Sequence, residues 1–254
     1  MLITDPWFYA VAIPAVLLFG ISKGGFGGGL GVVAVPLMAL IISPVQAAAI
    51  LLPILCVMDL VALWKFRGMW VWPELRILLP ASLLGILAGT LLFEHMSAAV
   101  IRLIVGIVAI TFTMHFWIST RRANSVGLRH YPRSYGLLGA SVAGFTSFVA
   151  HSGGPPISMY LLRRPLNRTD FAATAIFFFA VVNYAKLVPY TWLGQLDTNN
   201  LATSAALVVL APIGVLTGAW LHRRVSDRFF FSFVYVLLFV VGLKLVYDGV
   251  ADFT

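Results

Sequence analysis

Apolar residues fill this chain in runs of about twenty, which is the length a helix needs to cross a hydrocarbon layer. Six runs stand out, at 46–64, 74–93, 98–118, 169–189, 199–221 and 229–249. Each predicts a spanning helix. Two further apolar regions, about 7–42 and 134–163, are too long for one helix and are each interrupted by glycine. The interruptions read GISKGGFGGGLG at residues 20–31 and GFTSFVAHSGGPP at residues 144–156. Glycine and proline at such places break a helix and let the backbone turn. Each region is therefore expected to enter the membrane and return to the side from which it came.

Composition agrees with this pattern. Of the 254 residues 61% are hydrophobic and 10% charged, too few charges to cover a water-soluble surface. The single cysteine, Cys56, excludes an intrachain disulfide and a multi-cysteine metal centre. The first residues, MLITDPWFYA, lack a basic region and a small-residue cleavage site, so a removable leader is not expected.

Charge placement selects the threading, because short cytoplasmic loops collect Lys and Arg. If both glycine-broken regions are hairpins, Lys65, Arg67, Arg76, Arg121, Arg122, Arg129, Arg133, Arg163, Arg164, Arg168, Arg223, Arg224 and Arg228 fall on one face. Asp5, Glu94, Asp197, Asp248 and Asp252 fall on the other. Both termini are then expected outside the cytoplasm. The net charge of +8 follows from this bias and calls for no nucleic-acid partner; the lipid bilayer is the expected surrounding.

The threading gives both halves one plan: hairpin, span, span, span. Three crossings per half is odd, so the second half is expected inverted relative to the first. GILAGTLLFEHMS (85–97) and GVLTGAWLHRRVS (214–226) share G-x-L-x-G-x-x-L-x-x-x-x-S, and the two glycine breaks align about 124 positions apart. On that offset Gly29 matches Gly153, Ala48 matches Ala172 and Asp59 matches Asn183. The expected fold class is an all-α integral membrane protein of two inverted repeats, each a Gly-broken helical hairpin plus three transmembrane helices. Residues 1–120 form the first repeat, 121–133 a cytoplasmic linker and 134–254 the second repeat. The paired glycines 85, 89, 214 and 218 read as a helix-packing surface.

Broken hairpins within a membrane need polar company, since bare backbone cannot face lipid. A helix is expected to begin at Gly154 or Pro155 and another near 29–31, and helix N-termini favour anions. Lys23 adds a full charge. The candidate anion-binding residues are therefore Ser22, Lys23, Gly24, Gly25, Gly27, Gly28 and Gly29 in the first break, with Thr146, Ser147, His151, Ser152, Gly153 and Gly154 in the second. Asp59, Asn183 and Lys186 are gating or coupling candidates; Lys23 is alternatively a partner of Asp59, and Lys186 alternatively an interfacial anchor. No catalytic residue, cofactor or metal site is expected, because no H-E-x-x-H, G-x-S-x-G or phosphate-loop pattern occurs.

The early Gly-rich break, the paired segments SPVQAAAILLPILCVMDL and NRTDFAATAIFFFAVVNY, and the repeated glycine motif resemble the TauE/SafE family, also called the 4-toluene sulfonate uptake permease family. The likeness runs from about Phe8 to Asp248. It implies a bacterial inner-membrane permease for a sulfur-containing anion: sulfite, or a sulfonate such as 4-toluenesulfonate or sulfoacetate. Alternating access with proton or sodium coupling is one expectation; a passive anion channel using the same helix ends is the alternative. Direction and oligomeric state stay open.

Overall fold

The computed structural model describes residues 3–25, 31–93, 95–122, 132–221, 224 and 227–252, and among them there is no strand. Eleven helices follow in order: α1 (Pro6–Gly25), α2 (Ala34–Met38), α3 (Pro44–Lys65), α4 (Trp72–Phe93), α5 (Ala98–Arg122), α6 (Arg133–Ala150), α7 (Gly154–Leu161), α8 (Arg168–Trp192), α9 (Thr198–Leu207), α10 (Leu210–Leu221) and α11 (Asp227–Ala251). Six are long and apolar enough to cross a membrane: α1, α3, α4, α5, α8 and α11. The pair α9 and α10 makes a seventh if taken as one broken span.

All six apolar runs are helical, but the one at 199–221 is bent by 42° between α9 and α10. Proline explains the bend. Pro212 lies in the first turn of α10, where it has no N–H for the carbonyl four residues back and its ring crowds that carbonyl. The neighbouring Ala211 N–H closes instead on Val208 O, in a tighter turn at 2.9 Å.

Helix starts follow local chemistry. Ser43 caps α3 by accepting from Gln46 N–H at 3.1 Å, Asn167 caps α8 through Asp170 N–H at 2.8 Å, and Asp197 caps α9. Each side-chain oxygen satisfies an N–H that the helix itself leaves unpaired.

The second glycine-broken region is an antiparallel hairpin. A methyl group on Gly153 would meet Ala143 O, one on Gly139 would meet Pro156, and one on Gly136 the Tyr160 ring. Later residues thus lie against earlier ones, and α7 runs back beside α6. Its end is fastened to the start of α4. The Glu74 carboxylate accepts from Tyr160 OH and from Arg164 Nε, each at 2.8 Å, and lies 2.8 Å from Arg164 Nη2. Replacing Glu74 by Gln keeps the shape and removes the charge; it should lower unfolding free energy by about 1–2 kcal/mol, since part of the Arg164 side chain is solvated. Thermal melting in detergent reads this, with Tyr160→Phe expected to lose less than Glu74→Gln.

Three crossings bring backbones into contact, one of them α5 on α11, where a methyl on Gly106 would sit 2.9 Å from Gly242 O. On α4 and α6, Gly85 faces Ser141 O and Gly144 faces Ser82 O. On α1 and α10, Gly24 faces Val215 O, Gly218 faces Ile21 O, and a methyl on Gly20 would sit 2.8 Å from Gly214 Cα. The glycines of both repeated motifs therefore serve close helix packing, as small residues do in membranes. The remaining principal pair is α3 with α8. The core centres on α3, whose buried residues include Ala47, Ile50, Leu51, Ile54, Leu55 and Met58; it touches α8, α9 and α10.

Arg102 of α5 is paired with Asp252, just beyond the end of α11.

Candidate functional site

Polar side chains buried in an apolar bundle need partners, because an unpaired one costs several kcal/mol. Here they form two neighbouring groups on α8. The first joins α1, α3 and α8. Lys23 Nζ lies 2.6 Å from Asp59 Oδ1 and 3.4 Å from Leu55 O; Asn183 Nδ2 donates to Asp59 Oδ2 at 2.7 Å. Lys23 is 2% exposed and Asp59 not at all. The lysine that the glycine run carries is thus an ion-paired residue, one of the two readings its sequence position allowed. Asp59 and Asn183, matched on the 124-residue offset, touch each other.

One helical turn beyond Asn183, on the same face of α8, stands Lys186. Sequence position alone suggested an interfacial anchor. The structure buries it completely instead, because its helix face turns to the end of α6 rather than to lipid. Its ammonium donates to Ser147 O and Ser147 Oγ, both at 3.0 Å, and to His151 Nδ1 at 2.6 Å. Among the described residues no carboxylate lies within ion-pairing distance of it.

The end of α6 is shaped by His151. It adopts φ 51° and ψ 27°, the sole non-glycine residue of positive φ among those described. This left-handed geometry stops the helix, with His151 N–H on Ser147 O at 3.0 Å and Ser152 N–H on Thr146 O at 3.1 Å. The imidazole Nε2 sits 2.9 Å from Ala48 O on α3. A carbonyl can only accept, so Nε2 carries the proton and Nδ1 receives the Lys186 N–H. Tyr190, a turn after Lys186, donates its hydroxyl to Phe148 O at 2.6 Å. Lys186 and Tyr190 together satisfy the last-turn carbonyls of α6, where a cation also meets the negative end of the helix.

The other residues expected at the site fall as follows. Ser22, Lys23, Gly24 and Gly25 lie within the last turns of α1, not in a loop. The helix persists there because Gly20 and Gly24 are held against α10. Gly24 is thereby occupied by packing, which leaves its backbone no approach to a solute. Gly27, Gly28 and Gly29 lie outside the described residues. Thr146 binds inward, to Val142 O at 2.8 Å and Ser152 O at 3.2 Å; Ser152 Oγ donates to Ala150 O at 3.1 Å. Gly153 packs on Ala143 O, and Gly154 starts α7 as expected. The following Pro155 and Pro156 have no N–H, so the first turn of α7 offers fewer donors than an ordinary helix start.

Sequence reasoning passed over Tyr190 and the Ala48 carbonyl. The signal for Tyr190 was its place four residues after Lys186; a main-chain carbonyl leaves no signal at all.

A narrow cleft adjoins this second group, lined by Val45 and Ala48 of α3, Phe93 of α4, Phe148 of α6, and Tyr190 with Gln195 at and beyond the end of α8. The Phe148 and Tyr190 rings that line it pack edge to face, with centroids 5.3 Å apart. Among the described residues no cluster of three or more metal-ligating side chains occurs.

The family model described as sulfite exporter TauE/SafE matches residues 12–245, nearly the whole chain. Searches of the curated proteins and of the solved structures found no match. The matched stretch contains every residue of the two polar groups and the close α1–α10 and α4–α6 crossings, and with six or seven helices apolar enough to span it describes a multi-pass membrane protein; this chain belongs to the TauE/SafE sulfite exporter family.

Proposed function

We propose that the protein is a secondary carrier of a sulfur-containing anion, sulfite or an organic sulfonate, which it binds beside the broken ends of α1 and α6 and exposes alternately to the two sides of a bacterial inner membrane. One observation carries this reading. The buried centre of the bundle holds two lysines, Lys23 and Lys186, against one aspartate, Asp59. Surplus positive charge away from water is costly unless a counter-charge visits it, and an anionic solute is the visitor that the family affiliation names.

The helix pairing supports a two-part machine of inverted repeats, residues 1–120 and 134–254. The broken helix of each half packs on the second span of the other, α1 on α10 and α6 on α4; the first spans α3 and α8 pair, as do the last spans α5 and α11. Exchange of equivalent partners is the arrangement expected of two inverted halves rocking about a central site. Asp59 and His151 are the groups through which a proton or sodium ion would couple. Both termini lie outside the cytoplasm in this reading, opposite the basic loops.

Proteoliposomes loaded with unlabelled sulfite or methanesulfonate should take up the labelled anion by counterflow, with saturation. Absence of uptake for every sulfur anion tried, or an unsaturable conductance, would reject the carrier.

A further inference from the structure

We infer that Lys186, rather than Lys23, is the charge partner of the carried anion, and that the anion reaches it through the cleft between α3, α4, α6 and α8. The inference rests on the carrier reading above and adds the residue and the route.

The two lysines differ in what already neutralises them. Lys23 has a full negative charge 2.6 Å away, and that carboxylate is itself fixed by Asn183. An anion at Lys23 would have to compete with Asp59 and would suffer its repulsion. Lys186 has only neutral acceptors: a carbonyl, a hydroxyl and an imidazole nitrogen. An ion–ion contact there replaces ion–dipole contacts and gains the full Coulomb attraction of a poorly screened interior.

The groups that Lys186 would leave are prepared for its departure. Ser147 O retains the His151 N–H at 3.0 Å. Ser147 Oγ accepts from Lys186 in this state, yet a hydroxyl can turn and donate to an oxyanion. His151 Nε2 keeps its bond to Ala48 O, so the ring stays in place. His151 Nδ1 alone loses a partner, and it would then accept from water or from a protonated substrate.

The route follows from sequence adjacency. Ser147, which holds Lys186, is followed directly by Phe148, which lines the cleft; Tyr190, which also lines it, stands one turn after Lys186. The layer that separates cleft from ammonium is therefore Phe148, Tyr190 and the His151 ring, which stacks on Tyr190 with centroids 6.4 Å apart. Displacing the Tyr190 ring opens the cleft onto Lys186. Lys23 shares no wall with this cleft.

Binding of sulfite and methanesulfonate to the full chain in nanodiscs tests the assignment by calorimetry. Lys186→Gln should weaken binding about tenfold or more, and Lys186→Arg should stay within about threefold of wild type, because a charge-assisted contact is worth about 1.5–3 kcal/mol. The paired change Lys23→Gln with Asp59→Asn, which removes both charges together, should weaken binding less than Lys186→Gln does. Unchanged binding in Lys186→Gln, or an equal loss in the paired variant, overturns the assignment. To keep folding apart from binding, a second arm leaves the lysine intact: Gln195→Cys in a Cys56→Ala background, alkylated with a bulky maleimide in the cleft lining. Alkylation should block counterflow, and an unchanged rate overturns the route. A wild-type protein inert to sulfur anions that binds another anion in a Lys186-dependent way would reject the sulfur reading and keep the inference. Failure to bind any anion rejects both.

Discussion

Replacing Asp59 by Ala should remove about 3–5 kcal/mol of stability, the loss expected when one partner of a buried ion pair is deleted and the other charge stays buried. Lys23 is 2% exposed, and its other polar neighbour among the described residues is Leu55 O at the long distance of 3.4 Å. Without Asp59 the ammonium keeps, among the described residues, that weak acceptor and the face of the Phe19 ring at 5.8 Å. Asn183 would be orphaned as well, because its amide donates to the same carboxylate. Removing both charges, as Lys23→Met with Asp59→Leu, should restore most of the loss, since well-packed apolar pairs often replace buried ions without penalty. Chemical unfolding in mixed micelles, run as a double-mutant cycle, measures the coupling. Wild-type stability for Asp59→Ala would mean that the two side chains are not paired in the folded protein.

A leucine at Gly144 or at Gly24 should abolish the folded protein. At both places the added Cβ would collide with a main-chain carbonyl of the facing helix, Ser82 O or Val215 O. A backbone atom has no rotamer to change, so the helices would have to separate along their whole crossing. Overpacking in tight interiors costs typically 1–3 kcal/mol and more where nothing yields. Even alanine should lower the folded yield at these two sites. Gly139→Ala on the same α6 is the control: its methyl would meet Pro156 O at 3.4 Å, an ordinary contact. Fluorescence-detected size exclusion of detergent extracts compares the three. Equal yields for Gly144→Leu and Gly139→Ala would show that the α4–α6 crossing is not as close as described here.

The two predictions probe the kinds of information that the chain carries openly and covertly. Hydropathy run lengths determine the number of crossings, because a bilayer has one thickness and each span must match it. The apolar runs thus marked α3, α4, α5, α8, the α9–α10 pair and α11 within a few residues; the caps Ser43, Asn167 and Asp197 were legible in principle, since their short side chains act locally. Family membership was legible for the same reason: glycine spacing and paired polar positions persist in the order of residues. The bend at Pro212 was legible in principle, since its cause is local.

Long-range geometry decided the rest. A glycine in an apolar segment can free a turn, approach a solute or admit a second helix, and its own sequence does not distinguish these. Only the crossing of α1 with α10 shows that Gly20 and Gly24 do the third. A lysine in a span carries the same charge whether it anchors, pairs or waits, because burial and partners are contributed by other helices. Asp59 arrives 36 residues after Lys23 and neutralises it; Ser147 and His151 stand 39 and 35 residues before Lys186 and leave its charge uncancelled. The chain by itself determined a membrane bundle with lysines inside its apolar segments, because bilayer thickness and dielectric act on every segment alike. Which of those charges remains unmatched was decided by the tertiary structure alone, since Coulomb interactions depend on distances that only folding sets.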